Sequence, residues 1–209
     1  MKKNSLLAVV LIVGFACCNN NTEEKKGEAA INKDTTTAPM TAKETVTKRA
    51  PIINITDTLS VKRTVLYMKD SAASADRVGL KLAEILGFKL SAVIKKNGLK
   101  TTGQPMAWYN STKAPYFFEA GIPVDKKPVK KPSNVYIREI GVDSVVVAHF
   151  YGPYDLLPQA YDALNDWMKS HKKTKKGKPY EIYAGEPMNK DGKMKDPYKV
   201  QTDVVFPWK

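Results

Sequence analysis

Two seven-residue stretches decide the fold: Gly103-Gln104-Pro105-Met106-Ala107-Trp108-Tyr109 and Gly177-Lys178-Pro179-Tyr180-Glu181-Ile182-Tyr183. They share Gly-x-Pro and a closing Tyr at the same offsets. Further along, Glu119-Ala120-Gly121-Ile122-Pro123-Val124 matches Asp203-Val204-Val205-Phe206-Pro207-Trp208, each with an acidic residue, three intervening residues and a Pro. Self-similarity in a fixed order is the mark of an internal duplication. Two amphipathic helices and some strands always align a little, but the shared positions make chance the weaker explanation.

Working outward, each half reads as strand–helix–strand–strand. In the first, Val61 to Met68 is an apolar strand and Ser74-Ala75-Asp76 a helix start. Val78, Leu82, Ile85/Leu86, Leu90 and Val93 follow at the three- and four-residue spacings of one buried helix face. Gly79 and Gly87 weaken that helix, and Asn97-Gly98 ends it. Met106 to Ser111 and Tyr116 to Val124 are strands joined around Lys113-Ala114-Pro115. In the second half, Asn134 to Ile140 and Ser144 to Tyr151 are strands turning at Gly141-Val142-Asp143. Gly152-Pro153 ends the second of these. Asp155 is suited to cap a helix whose inner face is Leu157, Ala160/Tyr161, Leu164 and Trp167/Met168. Tyr180 to Ala184 and Val200 to Trp208 are the closing strands, with Asn189-Lys190-Asp191-Gly192 a turn between them. The fold class is α+β, with repeats at about 58–125 and 133–209.

These stretches, with Phe118-Glu119-Ala120-Gly121-Ile122-Pro123-Val124, Gly152-Pro153-Tyr154 and Tyr180-Glu181-Ile182-Tyr183, resemble the GyrI-like effector-binding domain. That family supplies the ligand-sensing module of multidrug-responsive regulators and also occurs alone. The resemblance covers roughly Thr58 to Trp208. It implies a pseudo-twofold antiparallel sheet, two helices on one face and a ligand cleft on the other. No DNA-binding helix-turn-helix pattern precedes the domain; a signal-like segment and a tether stand in its place.

Strand alternation proposes the cleft residues. Phe118, Ala120, Ile122 and Val124, with Thr202, Val204, Phe206 and Trp208, suit the face under the helices. Phe117, Glu119 and Gly121 then lie opposite. One grouping places Tyr109, Glu119, Glu181 and Tyr183 together on the face away from the helices. An acid ringed by aromatics suits a lipophilic cation, through charge and cation–π attraction. The resemblance also gives the position of Glu181 to a cleft glutamate. The candidate ligand-binding set is Tyr109, Phe117, Glu119, Glu181, Tyr183 and Trp108. The ordinary alternatives stay open: half-buried strand tyrosines, lysine-paired surface acids, and a core Trp108.

Met1-Lys2-Lys3 followed by the apolar run Leu6 to Ala16 is too short to span a bilayer and reads as a signal peptide, 1–16. Ala16 before Cys17-Cys18 resembles a bacterial lipobox, which implies lipidation at Cys17 and anchoring to the cell envelope, periplasmic or outer-membrane face. An ordinary cleaved signal is the alternative. Residues 17–55 read as a tether, since Asn19 to Ala50 has no aromatic residue and is rich in Thr, Lys, Glu and Asn. The domain is then 56–209.

The chain has 34 Lys+Arg against 21 Asp+Glu, a net charge of +13. The signal holds +2 and the tether six bases against five acids, which leaves +10 on the domain. Most of it lies in Lys126/Lys127/Lys130/Lys131, Lys172/Lys173/Lys175/Lys176/Lys178 and Lys190/Lys193/Lys195. Only four of the bases are Arg, whereas base and phosphate recognition favours Arg, so a nucleic-acid partner is not expected. A solvated fringe is the plain reading of the lysines, with weak attraction to an anionic lipid surface the alternative.

Two Cys exclude a disulfide scaffold or a four-Cys zinc site. Nothing reads as a phosphate loop or a nucleophilic triad, and no cofactor or metal is expected. The expected partners are a small-molecule ligand and a membrane reached through the lipid anchor. The leading function is binding of a small amphipathic molecule, with lipophilic cations as the class that the acid-and-aromatic set suits. The alternatives are a small hydrolase of strained electrophiles, with Glu181 as base and Tyr109 or Tyr183 as partner, and a haem-binding protein of the similarly duplicated SOUL type with His149 as axial ligand.

Overall fold

The computed structural model describes residues 49–111 and 113–209; the signal, Cys17 and nearly all of the tether lie outside the described residues. These residues form eight strands in one antiparallel sheet with two helical segments packed on one face. The strands are β1 (Ile52–Leu59), β2 (Arg63–Ala72), β3 (Met106–Tyr109), β4 (Tyr116–Val124), β5 (Tyr136–Ile140), β6 (Ser144–Tyr151), β7 (Tyr180–Ile182) and β8 (Gln201–Pro207). Their order across the sheet is β1-β6-β8-β7-β3-β4-β2-β5.

That order is its own mirror when the halves are exchanged. β1, β2, β3 and β4 correspond to β5, β6, β7 and β8, and the join runs between β3 and β7. The first strand of each half is traded: β1 lies beside β6, and β5 beside β2. Two expectations change here. The stretch Asn134 to Tyr151 is not a hairpin, because β5 pairs with β2 across the molecule rather than with β6. A strand also begins at Ile52, inside the stretch read as tether to residue 55. Its Ile-Ile-Asn-Ile-Thr-Asp-Thr-Leu lacks clean alternation because it is an edge strand, mostly exposed.

The exchange bends the sheet. Leu59 and Arg63 belong to the first and seventh strands, about 29 Å apart in a flat sheet, but the link between them reaches at most about 14 Å. Gly141-Val142-Asp143 makes the reciprocal link from β5 to β6. Ser60 ties the two links together: its amide donates to the Asp143 carbonyl at 2.8 Å, and its hydroxyl donates to the Gly141 carbonyl at 2.9 Å. The sheet therefore curls. Its helix-free side closes over an apolar cluster of Val65, Met106, Trp108, Val145, Tyr180 and Val205.

The helical side holds two further clusters, one per half. The first helical segment comprises α1 (Ala75–Ala83), a π-helical turn Glu84–Lys89 that contains Gly87, and α2 (Leu90–Lys96). It buries Val78, Leu82, Ile85, Leu90 and Val93 against Phe118, Ala120, Ile122 and Val124. The second is α3 (Pro158–Ser170), which buries Leu157, Ala160, Leu164 and Met168 against Val146, Val204 and Phe206. Asp155 is not its cap: it sits in a 3-10 turn, Tyr154–Leu156, and Pro158 opens the helix, where a missing N–H costs nothing. Beyond the helix Lys172 holds φ 53°, a left-handed conformation that usually goes to Gly at this place.

Gly121 is required by close approach. A Cβ there would lie 2.7 Å from Val65 Cγ1 and 2.9 Å from the Leu66 carbonyl oxygen. Gly121→Ala is expected to destabilise the domain by about 1–3 kcal/mol, measured as a fall in the urea midpoint.

Candidate functional site

Among the described residues, the join between the halves carries the one buried acid that no cation neutralises. β3 and β7 meet there, with Ala107 opposite Glu181 and Met106 opposite Ile182. Ala107 also faces Ala120, and Glu181 faces Val204. Both Ala120 and Val204 lie under the helices, so Ala107 and Glu181 point to the helical side. In the duplication these two are the same position. One copy carries a carboxylate, and the other carries a methyl group that leaves it room.

Glu181 is only 3% exposed. Tyr161 on α3 donates to its Oε1 at 2.8 Å, and Tyr183 donates to its Oε2 at 3.1 Å. The Tyr109 and Tyr183 hydroxyls lie 3.1 Å apart. Since the single Tyr183 proton goes to Glu181, Tyr109 is the donor in that pair. These two tyrosines are repeat mates, brought together over the small Ala107. A fourth, Tyr154, packs its ring 6.3 Å from that of Tyr183. The residue is 54% exposed, yet burial of its hydroxyl and then the charge of Glu181 push its pKa upward. Gly152 sets the path into this turn, because a Cβ there would meet Pro51 at 2.8 Å.

Burial pushes the Glu181 carboxyl up to about 7, against the smaller opposing pull of the hydrogen bonds from Tyr161 and Tyr183. Burial, and then the charge of Glu181, push Tyr109, Tyr154, Tyr161 and Tyr183 upward. The tyrosines therefore stay protonated as donors, while Glu181 titrates near neutrality.

The site residues expected from the sequence divide between the two faces. Tyr109, Glu181 and Tyr183 come together, but on the helical side, not on the face away from the helices. Glu119, Trp108 and Phe117 lie on the helix-free side and are not part of this cluster. The buried Glu119 accepts from Arg138 Nη2 at 2.5 Å, with Lys69 at 4.0 Å. Arg138 in turn lies over the rings of Trp108 at 4.3 Å and Tyr67 at 4.6 Å. Glu119 is thus a neutralised acid and Trp108 a core residue. Phe117 is half exposed on the outer part of β4. Tyr161 and Tyr154 were not on the candidate list. Their signals were a tyrosine on the apolar face of a helix and the Gly-Pro-Tyr stretch. His149 has both ring nitrogens engaged, Nδ1 with Asp203 at 2.7 Å and Nε2 with Thr56 at 3.2 Å.

A twofold-repeated curled sheet, with a buried acid and four tyrosines between its helices, defines a small-molecule-binding domain. The GyrI-like small molecule binding domain matches residues 89–209, and the chain belongs to that family. No curated protein sequence matches it. Among solved structures it is similar to the C-terminal domain of EcmrR (TM-score 0.63, 21% identity, 76% of this chain and 98% of that domain). It is also similar to EcmrR in a complex with DNA (TM-score 0.62, 20% identity, 75% of this chain). The chain spans 57% of the length of that EcmrR. A hydrolase from Listeria innocua has TM-score 0.51 and 12% identity over 78% of this chain and 93% of its own. At these identities the likeness is one of fold.

The raised Glu181 has a consequence for stability. The folded state binds this proton more tightly than the unfolded state, so the contribution is full below about pH 4.5 and is lost as pH rises through about 7. Above pH 7 the buried charge costs on the order of 3 kcal/mol. Glu181→Gln is therefore expected to raise Tm at pH 8 and leave it nearly unchanged at pH 4, in paired thermal melts.

Proposed function

We propose that this domain binds amphipathic organic cations between its helices, with Glu181 as counter-ion and Tyr109, Tyr154, Tyr161 and Tyr183 as the aromatic wall. One observation carries the reading. In a domain with a large excess of lysine, this buried carboxylate has hydroxyl partners and no Lys or Arg among the described residues. A carboxylate inside a protein keeps its charge only when a cation or good donors compensate it. A cationic ligand supplies that compensation, and ring faces add cation–π attraction. Tyr154, the exposed member of the cluster, is the side chain a ligand meets first.

Calorimetric titration with tetraphenylphosphonium tests this. The wild type is expected to bind, and Glu181→Gln to bind at least tenfold more weakly. Because the ligand needs ionised Glu181, affinity is expected to fall about tenfold per pH unit below about 7. Equal binding by the wild type and Glu181→Gln, or a flat pH profile, would refute the assignment. Turnover of a strained electrophile that Glu181→Gln abolishes would favour hydrolysis instead, since a base poised near neutrality suits that chemistry as well.

We further propose that the chain works on the outer side of a bacterial cytoplasmic membrane, held by lipid on Cys17. The apolar run Leu6 to Ala16 and Ala16-Cys17 support this, and the composition of Asn19 to Ala50 suits a spacer between lipid and domain. In cells fed radiolabelled palmitate, Cys17→Ser is expected to lose label and Cys18→Ser to keep it; the reverse pattern would exclude Cys17.

A further inference from the structure

The end of the domain where the two strand links cross has a surface the ligand site does not use. Leu59, Val61 and Val142 project there, 61%, 63% and 62% exposed. These are not tips of a loose loop. The Ser60 hydroxyl donates to the Gly141 carbonyl and accepts from the Asp143 amide at 2.9 Å, so both links are held in place. Beside them runs the lysine loop after α3. Lys176 donates its amide to the Pro207 carbonyl, and Lys175 bridges to Trp208, whose own amide bonds the Ser144 carbonyl. Ser144 is the strand partner of Leu59. Lys173 lies over the Trp208 ring at 3.7 Å.

We propose that this end docks onto an anionic phospholipid surface, with Leu59, Val61 and Val142 entering the headgroup layer and Lys62, Lys172, Lys173 and Lys175 contacting lipid phosphates. The charge around the apolar tips decides the occupant. Of the acids near them, Asp143 is paired to Lys176, Glu139 is paired to Lys127 with Lys62 in its field, and Asp57 accepts from Trp208 Nε1 at 3.2 Å. None of those four lysines is in ion-pair contact with a carboxylate among the described residues. A protein interface tends to exclude Lys from its core, whereas apolar tips ringed by lysine suit a bilayer surface, where each base contributes about tenfold in affinity at most. Lys172 adds a separate reason: it holds φ 53° where Gly would be unstrained, so a cation stands there at some cost to the fold. The surface is independent of Glu181 and of lipidation.

Residues 49–209 carry the whole described core and form the test protein. In sedimentation with vesicles of equal phosphatidylglycerol and phosphatidylcholine, this fragment is expected to bind at low salt, to be released by 0.5 M NaCl, and to ignore pure phosphatidylcholine. Val61→Asp with Val142→Asp, and separately Lys62→Glu with Lys172→Glu and Lys175→Glu, are each expected to lower binding at least tenfold. Equal charge reversal at Lys95, Lys96 and Lys190 is expected to lower it less than threefold. Thermal melts check that each variant is folded. Absence of binding to the anionic vesicles overturns the proposal. So does an equal loss in the control set, or valine variants that bind like the wild type. Self-association that Val61→Asp abolishes would assign the surface to a second copy instead.

Discussion

Ser60, Val61 and Lys62 are all that lies between a strand at one edge of the sheet and a strand next to the other edge. Gly141, Val142 and Asp143 make the same short link in the other direction. These two links bring edges together that a flat sheet would hold far apart, and Ser60 joins them by hydrogen bonds. From that constraint follow the curl of the sheet, the apolar cluster inside it and the assignment of both helices to its outer side.

The join of the halves, β3 against β7, lies between the two helical-side core clusters: Tyr109 and Tyr183 pack against one and Tyr161 against the other. A duplicated fold offers every position twice, and the positions nearest the join face their own copies. Ala107 and Glu181 are such a pair. Two glutamates would repel each other in a poorly solvated place, and two alanines would leave no charge. The asymmetric choice gives one carboxylate, with two repeat-mate tyrosines above it and Tyr161 reaching in from α3. Its environment is strong enough to hold the group but too weak in positive charge to neutralise it. In the proposed function, this incomplete compensation is what makes the group a recognition element as well as a buried polar residue. Glu119 shows the contrast: equally buried, it is answered by Arg138, and the pair serves the core.

Much of this was legible in the sequence because it rests on local periodicity. The apolar spacing from Val78 to Val93 and from Leu157 to Met168 placed both helices, and the Gly-x-Pro and acid-x3-Pro positions exposed the duplication. Alternation within each strand was also right: Phe118, Ala120, Ile122 and Val124 do lie under the helices. The phase between neighbouring strands was not. Tyr109 pairs with Phe118 rather than falling beside Glu119, and a one-residue slip in register moves a side chain to the opposite face. Register across the loop from Asn110 to Pro115 depends on how the turn is made, which residue types there leave open. The exchange of β1 and β5 escaped for a related reason, since an edge strand needs only one partner and no clean alternation.

The amino-acid sequence by itself determined the class of fold, the repeat, both helices, and the presence of acids and tyrosines in the closing strands. Those properties follow from spacings of a few residues, which the chain obeys before it has any tertiary partner. Only the tertiary structure decided which half each first strand joins, which face carries Glu181, and which of two buried acids keeps an unanswered charge. Each of these depends on the company a residue keeps across the sheet. Arg138 lies 19 residues from Glu119 and Tyr161 lies 20 from Glu181. At such separations the difference between a neutralised acid and a poised one comes from packing, which spacing alone does not carry.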